Sequence, residues 1–379
     1  MVYNILYLNR ASEIGGAEQS LLLLLSDLNQ DRFSPTVILP KNGPLANSLR
    51  ALDIETIFIP LNRLRWRNPF PYFKTLGKLT ALLKDRKFDL VHSNIEFCSQ
   101  YVSVAAKLSG TPCICHVRNI LNKISFWEYT LWLPDVLIAN SQATLESIKG
   151  QACKTQKVEL IYNGVDLKKF IRKDDKTFRD NLGINEDTFL LGVVGRINPR
   201  KGHHTFISSL KIVLESKSNF CALIVGNEIL DGAEEYLLKL KHLVSELRLS
   251  DKVIFTGFVK DMSALFDSLD LLVLPSLAEA FGRVLIEAMA MEKPVVATRS
   301  GGAIEVVDDG VTGILVKVES PDSLAEAILR IMTNKTMAEK MGRMGRKRVE
   351  LLFNNKQNIT KTENVYLNIL ESGDNEKTL

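Results

Sequence analysis

Short apolar runs alternate with amphipathic stretches along the first half of the chain. Helices are predicted over Gln19–Leu28, Phe73–Leu83 and Tyr101–Leu108. The apolar runs have the length of buried strands and are Asn4–Asn9, Thr36–Leu39, Thr56–Ile59, Leu90–His92, Cys113–Val117, Val136–Ala139 and Val158–Tyr162. Short buried strands separated by helices are typical of a parallel sheet covered on both faces.

The same pattern restarts after a strongly charged stretch, residues 166–187. That stretch is interpreted as a connection with one short helix, although a solvated surface segment within one domain fits equally well. The later strand candidates are Phe189–Val194, Cys221–Val225, Val253–Thr256, Leu271–Leu274, Pro294–Thr298 and Gly313–Val316. Helices are predicted around Glu305 and over Leu324–Met332 and Met337–Leu352. The pattern therefore predicts an α/β protein with two doubly wound, Rossmann-like domains, residues 1–166 and 167–355. Ligands of such sheets bind at the carboxyl ends of the strands, and two such domains leave a cleft.

Composition narrows the class of protein. Of 379 residues, 46% are hydrophobic and 24% are charged, which excludes a disordered or fibrous chain. The formal net charge of +4 is too small to indicate nucleic acid as the main partner. The odd number of cysteines, 5, and the lack of an apolar leader predict a reduced, cytoplasmic protein.

The turn after the strand at 189–194 carries cations. Gly195 ends the strand, Arg196 and Lys201 flank a turn, and Gly202 opens the next helix. Two cations beside a helix N-terminus suit a diphosphate. A solvated basic turn is an equally good explanation of this motif alone.

A second motif, within Leu274–Thr298, carries two carboxylates at an E-x7-E spacing. Glu279 precedes a predicted helix, and Glu287 lies on that helix among aliphatic residues. A buried carboxylate requires a partner, and vicinal sugar hydroxyls are suitable ones. The alternatives are a solvent-facing Glu287 and a Glu279 that caps the helix.

The first half offers weaker candidates. Gly15 and Gly16 open the first helix as an anion or sugar loop, and His116 lies at the carboxyl end of a strand. A structural histidine is the ordinary alternative for His116. Cys113 and Cys115 lack a second ligand cluster, and no D-x-D pair is present, so no metal site is predicted.

Residues 61–87 interleave eight basic residues with aromatic ones. We take Arg63, Arg65, Trp66 and Arg67 as candidates for an acceptor-side or membrane surface. The alternative is a solvated basic loop and helix.

Taken in order, these motifs resemble glycosyltransferase family 4, the retaining group 1 glycosyltransferases with the GT-B fold. The resemblance rests on GGAE, HVRN, NGVD, GRINPRKGH, VIFTGFVKDM, EAFGRVLIEAMA and GVTGILV, which span most of the chain. It implies two Rossmann-like domains facing a deep cleft. The first domain would bind the acceptor and the second the nucleotide sugar, and a C-terminal helix and tail, 356–379, would cross back to the first domain.

The resemblance also implies roles for individual residues. Arg196 and Lys201 would hold the donor diphosphate, Glu287 the ribose and Glu279 the transferred sugar. His116 and Gly16 would approach the sugar or phosphate from the other domain. The remaining donor-site residues, which would contribute mainly backbone groups, are Gly195, Phe281, Gly282, Arg283 and Val284.

The expected activity is transfer of a hexose, glucose by default, from a UDP-sugar. The acceptor would be a saccharide or lipid-linked saccharide in exopolysaccharide or other cell-surface glycan synthesis. The family normally needs no metal, so no metal or other cofactor is expected, and peripheral association with the inner face of the plasma membrane is expected. Two other functions stay open, a GT-B-type nucleotide-sugar epimerase and a non-catalytic nucleotide-sugar binding protein.

Overall fold

The computed structural model describes residues 2–62, 67–121, 128–149, 156–227 and 233–376. These residues form two compact units. The first contains the described residues up to Gly164 together with those from Asn355 onward, and the second contains Val165–Asn354. The chain therefore changes units two residues before the predicted boundary at 166 and one residue before that at 355.

The first unit is built on a seven-stranded parallel sheet, in the order β3-β2-β1-β4-β5-β6-β7. All seven predicted strands are confirmed, with shifts at their ends. The strands are β1 (Tyr3–Leu8), β2 (Phe33–Leu39), β3 (Glu55–Phe58), β4 (Leu90–Ser93), β5 (Cys113–Val117), β6 (Val136–Ala139) and β7 (Lys157–Leu160). The helices between them are α1 (Gly16–Ser26), α2 (Pro44–Arg50), α3 (Phe70–Arg86), α4 (Ser99–Ser109) and α5 (Gln142–Lys149). Strand order reverses between β1 and β4, which makes their carboxyl ends the switch point of this sheet.

The second unit repeats this plan with six parallel strands in the order β10-β9-β8-β11-β12-β13. All six strand predictions are confirmed. The strands are β8 (Phe189–Val194), β9 (Phe220–Val225), β10 (Val253–Gly257), β11 (Leu271–Leu274), β12 (Val295–Thr298) and β13 (Gly313–Val316). The helices are α6 (Thr177–Asn181), α7 (His203–Ser216), α8 (Ala233–Glu246), α9 (Met262–Ser268), α10 (Arg283–Ala290), α11 (Ala303–Val306), α12 (Pro321–Thr333) and α13 (Lys335–Leu352). Here β8 and β11 form the switch point.

The charged stretch 166–187 is part of the second unit, so its interpretation as the connection between domains is wrong. It does contain one short helix, α6. Arg179 on that helix is buried, pairs with Asp270 at 2.7 Å and donates to the backbone oxygen of Ser268 at 2.9 Å. Charges satisfied in this way can lie within a domain, and composition alone does not reveal the partners.

The last helix, α14 (Asn355–Glu376), packs on the sheet of the first unit. Ile359, Val365 and Tyr366 are buried in the same core as strand β1. Asn355 begins the helix by donating to the backbone oxygen of Leu23 at 3.2 Å. The core of the first unit thus combines the beginning and the end of the described chain.

Candidate active site

Two predicted donor-site residues lie in contact at the switch point of the second unit. Lys201 follows β8 and Glu279 follows β11, and these two strands are neighbours. The Nζ atom of Lys201 lies 2.6 Å from Oε2 of Glu279, which also accepts from the hydroxyl of Ser276 at 3.1 Å. Both side chains are largely but not fully buried, at 24% and 12% exposure. A cation and a carboxylate thus sit together where ligands of doubly wound sheets bind.

Close backbone packing holds the two loops in this register. Gly202 has a φ of +69°, and a Cβ atom there would overlap the carbonyl oxygen of Pro275. In addition, the amide of Leu277 donates to the oxygen of Arg200 at 2.8 Å. The Lys201 loop and the Glu279 loop therefore behave as one rigid frame.

A third loop completes this frame. The amide of Gly302 donates to the backbone oxygen of Glu279 at 2.8 Å, and a Cβ at Gly302 would overlap Ala280. The hydroxyl of Ser300 donates to the oxygen of Ser276 at 3.0 Å. The backbone on either side of Glu279 is thus fixed from the β12–α11 loop.

Helix α10 begins beside Glu279 and carries the second carboxylate. Gly282 precedes the helix, and Arg283 in its first turn pairs with Glu287 at 2.9 Å. Both side chains are about nine-tenths buried, so the solvent-facing alternative for Glu287 is wrong. The ring of Phe281 is also buried and packs edge-on against Phe353 at 5.7 Å. Phe281 consequently offers a ligand only its backbone.

The other candidate donor-site residues of the second unit are exposed or half-buried. Arg196 is exposed just beyond β8, next to the half-buried Gly195. Val284 is half-buried in the first turn of α10. Arg196 therefore lies on the same loop as Lys201, with its charge directed to the surface.

In the first unit, His116 lies within a buried polar cluster at the carboxyl edge of the sheet. Its Nδ1 atom is 3.3 Å from Nη2 of Arg118, and its ring stacks on His92 at 5.9 Å. Burial, reinforced by Arg118 and His92, lowers the pKa of His116 well below the usual value. His116 is thus a neutral imidazole at physiological pH.

The same cluster reaches the first helix. Asn94, directly after β4, donates to Oδ1 of Asn9, directly after β1, at 2.8 Å. Asn9 in turn donates to Glu18 of α1 at 3.1 Å. Gly16 is the exposed first residue of that helix. Sequence reasoning missed Asn9 and Asn94, although polar residues directly after the two switch-point strands are a readable signal.

Of the basic surface candidates, Arg67 is exposed just before α3. Arg63, Arg65 and Trp66 lie outside the described residues. Within the described ranges, no group of three or more histidine, cysteine, aspartate or glutamate side chains is arranged to hold a metal ion. None of the helices in these ranges is both long and apolar enough to cross a bilayer.

Comparison with known proteins gives consistent matches over both units. The model of the family "Glycosyl transferases group 1" matches residues 174–348, and that of "Glycosyltransferase Family 4" matches residues 14–169. A D-inositol 3-phosphate glycosyltransferase of Kribbella flavida is 32% identical over 299 residues, which cover 72% of this chain and 69% of that protein. The UDP-Gal:alpha-D-GlcNAc-diphosphoundecaprenol alpha-1,3-galactosyltransferase of Escherichia coli is 24% identical, with 94% of this chain and 95% of that protein covered.

The fold has a close counterpart among solved structures. The crystal structure of Anabaena Alr3699/HepE in complex with UDP-glucose matches with a TM-score of 0.85 and 26% identity. The match covers 96% of this chain and 99% of that one. The chain therefore belongs to the group 1 glycosyltransferases and is a glycosyltransferase with the GT-B fold.

Proposed function

We propose that this enzyme transfers a hexose, with glucose as the first choice, from a UDP-sugar with retention of anomeric configuration. The acceptor is a saccharide or lipid-linked saccharide in exopolysaccharide or other cell-surface glycan synthesis. The observation that carries the proposal is the contact between Lys201 and Glu279 at the switch point. The Anabaena neighbour solved with UDP-glucose supports the donor class, and the name of the Escherichia coli relative supports a diphosphate-linked acceptor. That relative's name specifies galactose, so an experiment must decide between glucose and galactose as the transferred hexose.

Departure of the nucleoside diphosphate is the step that the cations assist. The bond between the anomeric carbon and the phosphate oxygen breaks, and its electrons leave with UDP. Lys201 and Arg196 would stabilise this charge, helped by the amides that begin α10. In this proposal the diphosphate takes the place of Glu279 as the partner of Lys201, which frees the carboxylate for hydroxyls of the sugar.

The remaining bonds form on the same face of the sugar. The acceptor oxygen bonds to the anomeric carbon, and its proton passes to the departing phosphate. No protein nucleophile is assigned. Glu279 therefore positions the sugar, whereas Glu287, held by Arg283 at 2.9 Å, positions the ribose through its hydroxyls. We further propose that no metal or other cofactor takes part, because Lys201 and Arg196 would supply the positive charge that the diphosphate requires.

A donor panel tests the activity. Purified enzyme would be mixed with UDP-glucose, UDP-galactose, GDP-glucose and ADP-glucose in the presence of a chelator, and binding, nucleotide release and sugar epimerisation would be measured. Lys201→Met should weaken UDP binding and lower turnover. Lys211→Met is the matched control, since Lys211 pairs on the surface of α7 with Glu215. Equal kinetics in the two variants, or an epimerised sugar without transfer, would contradict the proposal.

For access to a lipid-linked acceptor, we propose that α3 rests on an anionic bilayer at the cytoplasmic face. Phe70 and Phe73 are 72% and 56% exposed on its outer side. Lys74 and Lys78 are exposed on the same helical face, and Arg67 is exposed just before it. Aromatic rings beside cations suit the headgroup region, where each basic residue contributes about 1 kcal/mol.

Vesicle binding tests this surface separately from catalysis. Wild type should sediment with vesicles of phosphatidylglycerol and phosphatidylcholine but not with phosphatidylcholine alone. Phe70→Ser combined with Phe73→Ser should abolish sedimentation. Phe258→Ser, which removes a ring that is 61% exposed in the second unit, is the control. Failure of the wild-type protein to bind anionic vesicles would refute the membrane proposal and leave the transferase proposal intact.

A further inference from the structure

The buried ring of His116 has one nitrogen in contact and one without a partner. Nδ1 lies 3.3 Å from Nη2 of Arg118, and the ring is only 3% exposed. Among the described residues, no hydrogen-bond partner reaches Nε2. This environment fixes which nitrogen carries the proton.

A guanidinium group has only N–H donors and no acceptor. In the contact with Arg118, the nitrogen of His116 must therefore accept, so Nδ1 carries a lone pair. A neutral imidazole has one N–H group, which must then be at Nε2. A second proton on His116 would place its imidazolium beside the guanidinium of Arg118 in a buried environment, which is unfavourable. The ring of His92, which stacks on His116, lies in the same environment.

The orientation of Arg118 is itself fixed. Its Nε donates to the backbone oxygen of Asn94 at 2.7 Å, and Nη2 donates to Oδ1 of the same residue at 2.8 Å. Nη1 donates to Oδ1 of Asn163 at 3.0 Å. A planar fork held at three oxygens cannot turn away from the imidazole.

We propose that Arg118 is a positioning residue that holds His116 as the Nε2–H tautomer. The resemblance to glycosyltransferase family 4 already implies that His116 contacts the sugar; in that contact the tautomer makes Nε2 a donor, so that His116 does not act as a base. The tautomer is a property of the protein alone, whereas its use toward a sugar rests on the proposed function. A buried N–H group without an acceptor is unfavourable, so a ligand oxygen would complete the cluster.

The tautomer can be observed directly without any nucleotide sugar. Protein labelled with ¹⁵N-histidine would be studied by long-range ¹H–¹⁵N correlation, with the signals of His116 assigned from a His116→Gln sample. The expected pattern is that of a neutral imidazole protonated at Nε2. A pattern of protonation at Nδ1, or of an imidazolium at neutral pH, would overturn the proposal.

Variants of the arginine supply the causal test. Arg118→Met should lose the pure Nε2–H pattern, and Arg118→Lys, which retains a donor, should restore it. Arg179→Met is the matched control, because it removes a buried guanidinium from the other unit and should leave the His116 signals unchanged. If Arg118→Met does not fold, the wild-type and Arg118→Lys spectra still decide the tautomer. An unchanged His116 pattern in a folded Arg118→Met protein would refute the role of Arg118.

Enzyme kinetics then test whether the Nε2–H group of His116 donates a hydrogen bond to the substrate. Glutamine places an amide nitrogen near the position of Nε2, and asparagine places one near Nδ1. His116→Gln should lose about tenfold in turnover and His116→Asn about a hundredfold, because a hydrogen bond to a substrate hydroxyl is lost only in the second. Equal losses would refute donation from Nε2. Absence of nucleotide-sugar binding by the wild type would instead refute the proposed function and leave the tautomer standing.

Discussion

The close approach of Gly202 to Pro275 offers a direct test of how the two donor-site loops depend on each other. Gly202→Ala adds one methyl group at a φ of +69°, directed at the carbonyl oxygen of Pro275. The oxygen belongs to the backbone, so no side-chain rotation can relieve the overlap. The loops on either side, which carry Lys201 and Glu279, must separate.

The expected cost has two parts. A non-glycine residue in the left-handed region costs about 1–2 kcal/mol. Relief of an overlap in a packed region adds about 1–3 kcal/mol. We therefore expect the free energy of unfolding to fall by about 2–5 kcal/mol. Displacement of Lys201 should weaken UDP binding by about tenfold, which corresponds to about 1.4 kcal/mol.

A second glycine of the same unit separates the cost of the left-handed backbone from the cost of the overlap. Gly183 has a φ of +66°, and no described atom lies within 4 Å of the position of an added Cβ. Gly183→Ala should therefore show only the backbone cost of about 1–2 kcal/mol, with UDP affinity unchanged. Urea denaturation and calorimetric titration with UDP would be measured for both variants. If the two lose equal stability and bind UDP equally, the reasoning about a rigid shared frame is wrong.

Three further predictions concern buried polar groups. Burial lowers the pKa of His203 from 6.5 to about 4, so unfolding takes up a proton as pH falls through that interval, and stability is lost from pH 6.5 downward. His203→Leu should remove about 2.5 kcal/mol of the stability difference between pH 7 and pH 4.5, measured by urea denaturation at both values. Tyr366→Phe removes a hydroxyl that contacts a buried imidazole at 2.6 Å and Tyr7 at 3.1 Å, and should lower the unfolding free energy by about 1–3 kcal/mol, more than Tyr7→Phe does. Arg283→Met should cost about 3–5 kcal/mol by leaving Glu287 buried without its cation, and adding Glu287→Leu should recover most of the loss, as followed by thermal melting.

Each of these has a clear contrary result. An unchanged pH dependence in His203→Leu would mean that other groups cause the acid sensitivity. Equal losses of stability in Tyr7→Phe and Tyr366→Phe would show that the contact of the Tyr366 hydroxyl with the buried imidazole adds nothing to its contact with Tyr7. A double variant no more stable than Arg283→Met would indicate that Arg283 acts through groups other than Glu287.

Most of the strands are buried on both faces, and this burial leaves a simple signal in the sequence, whereas the edge strands β3 and β7 are only half-buried or exposed. Every strand of both sheets coincides with a short apolar run, as Leu271–Leu274 illustrates. The helices α2, α5, α8 and α9 were not predicted. The α2 helix has only 7 residues, and such short helices are stabilised by tertiary packing rather than by a long periodic pattern.

The site could be predicted as a set of residues but not as a set of contacts. Lys201 and Glu279 are far apart in sequence, and their meeting depends on β8 and β11 being neighbours. The pair between Arg283 and Glu287 has the i,i+4 spacing of a helix and could have been read directly. The tautomer of His116, in contrast, depends on the direction of one guanidinium group, which no spacing specifies.

The return of α14 to the first unit has a consequence for biosynthesis. As the chain leaves the ribosome, the second unit, Val165–Asn354, is contiguous and can complete its core as soon as it is synthesised. The first unit lacks Ile359, Val365 and Tyr366 until α14 has been synthesised, which happens only after the whole second unit. Of the two units, the one that is begun first is therefore completed second, and in the meantime its sheet exposes apolar surface to chaperones and proteases. A premature stop codon before α14 would accordingly harm the first unit, whose sheet is encoded upstream of the second unit.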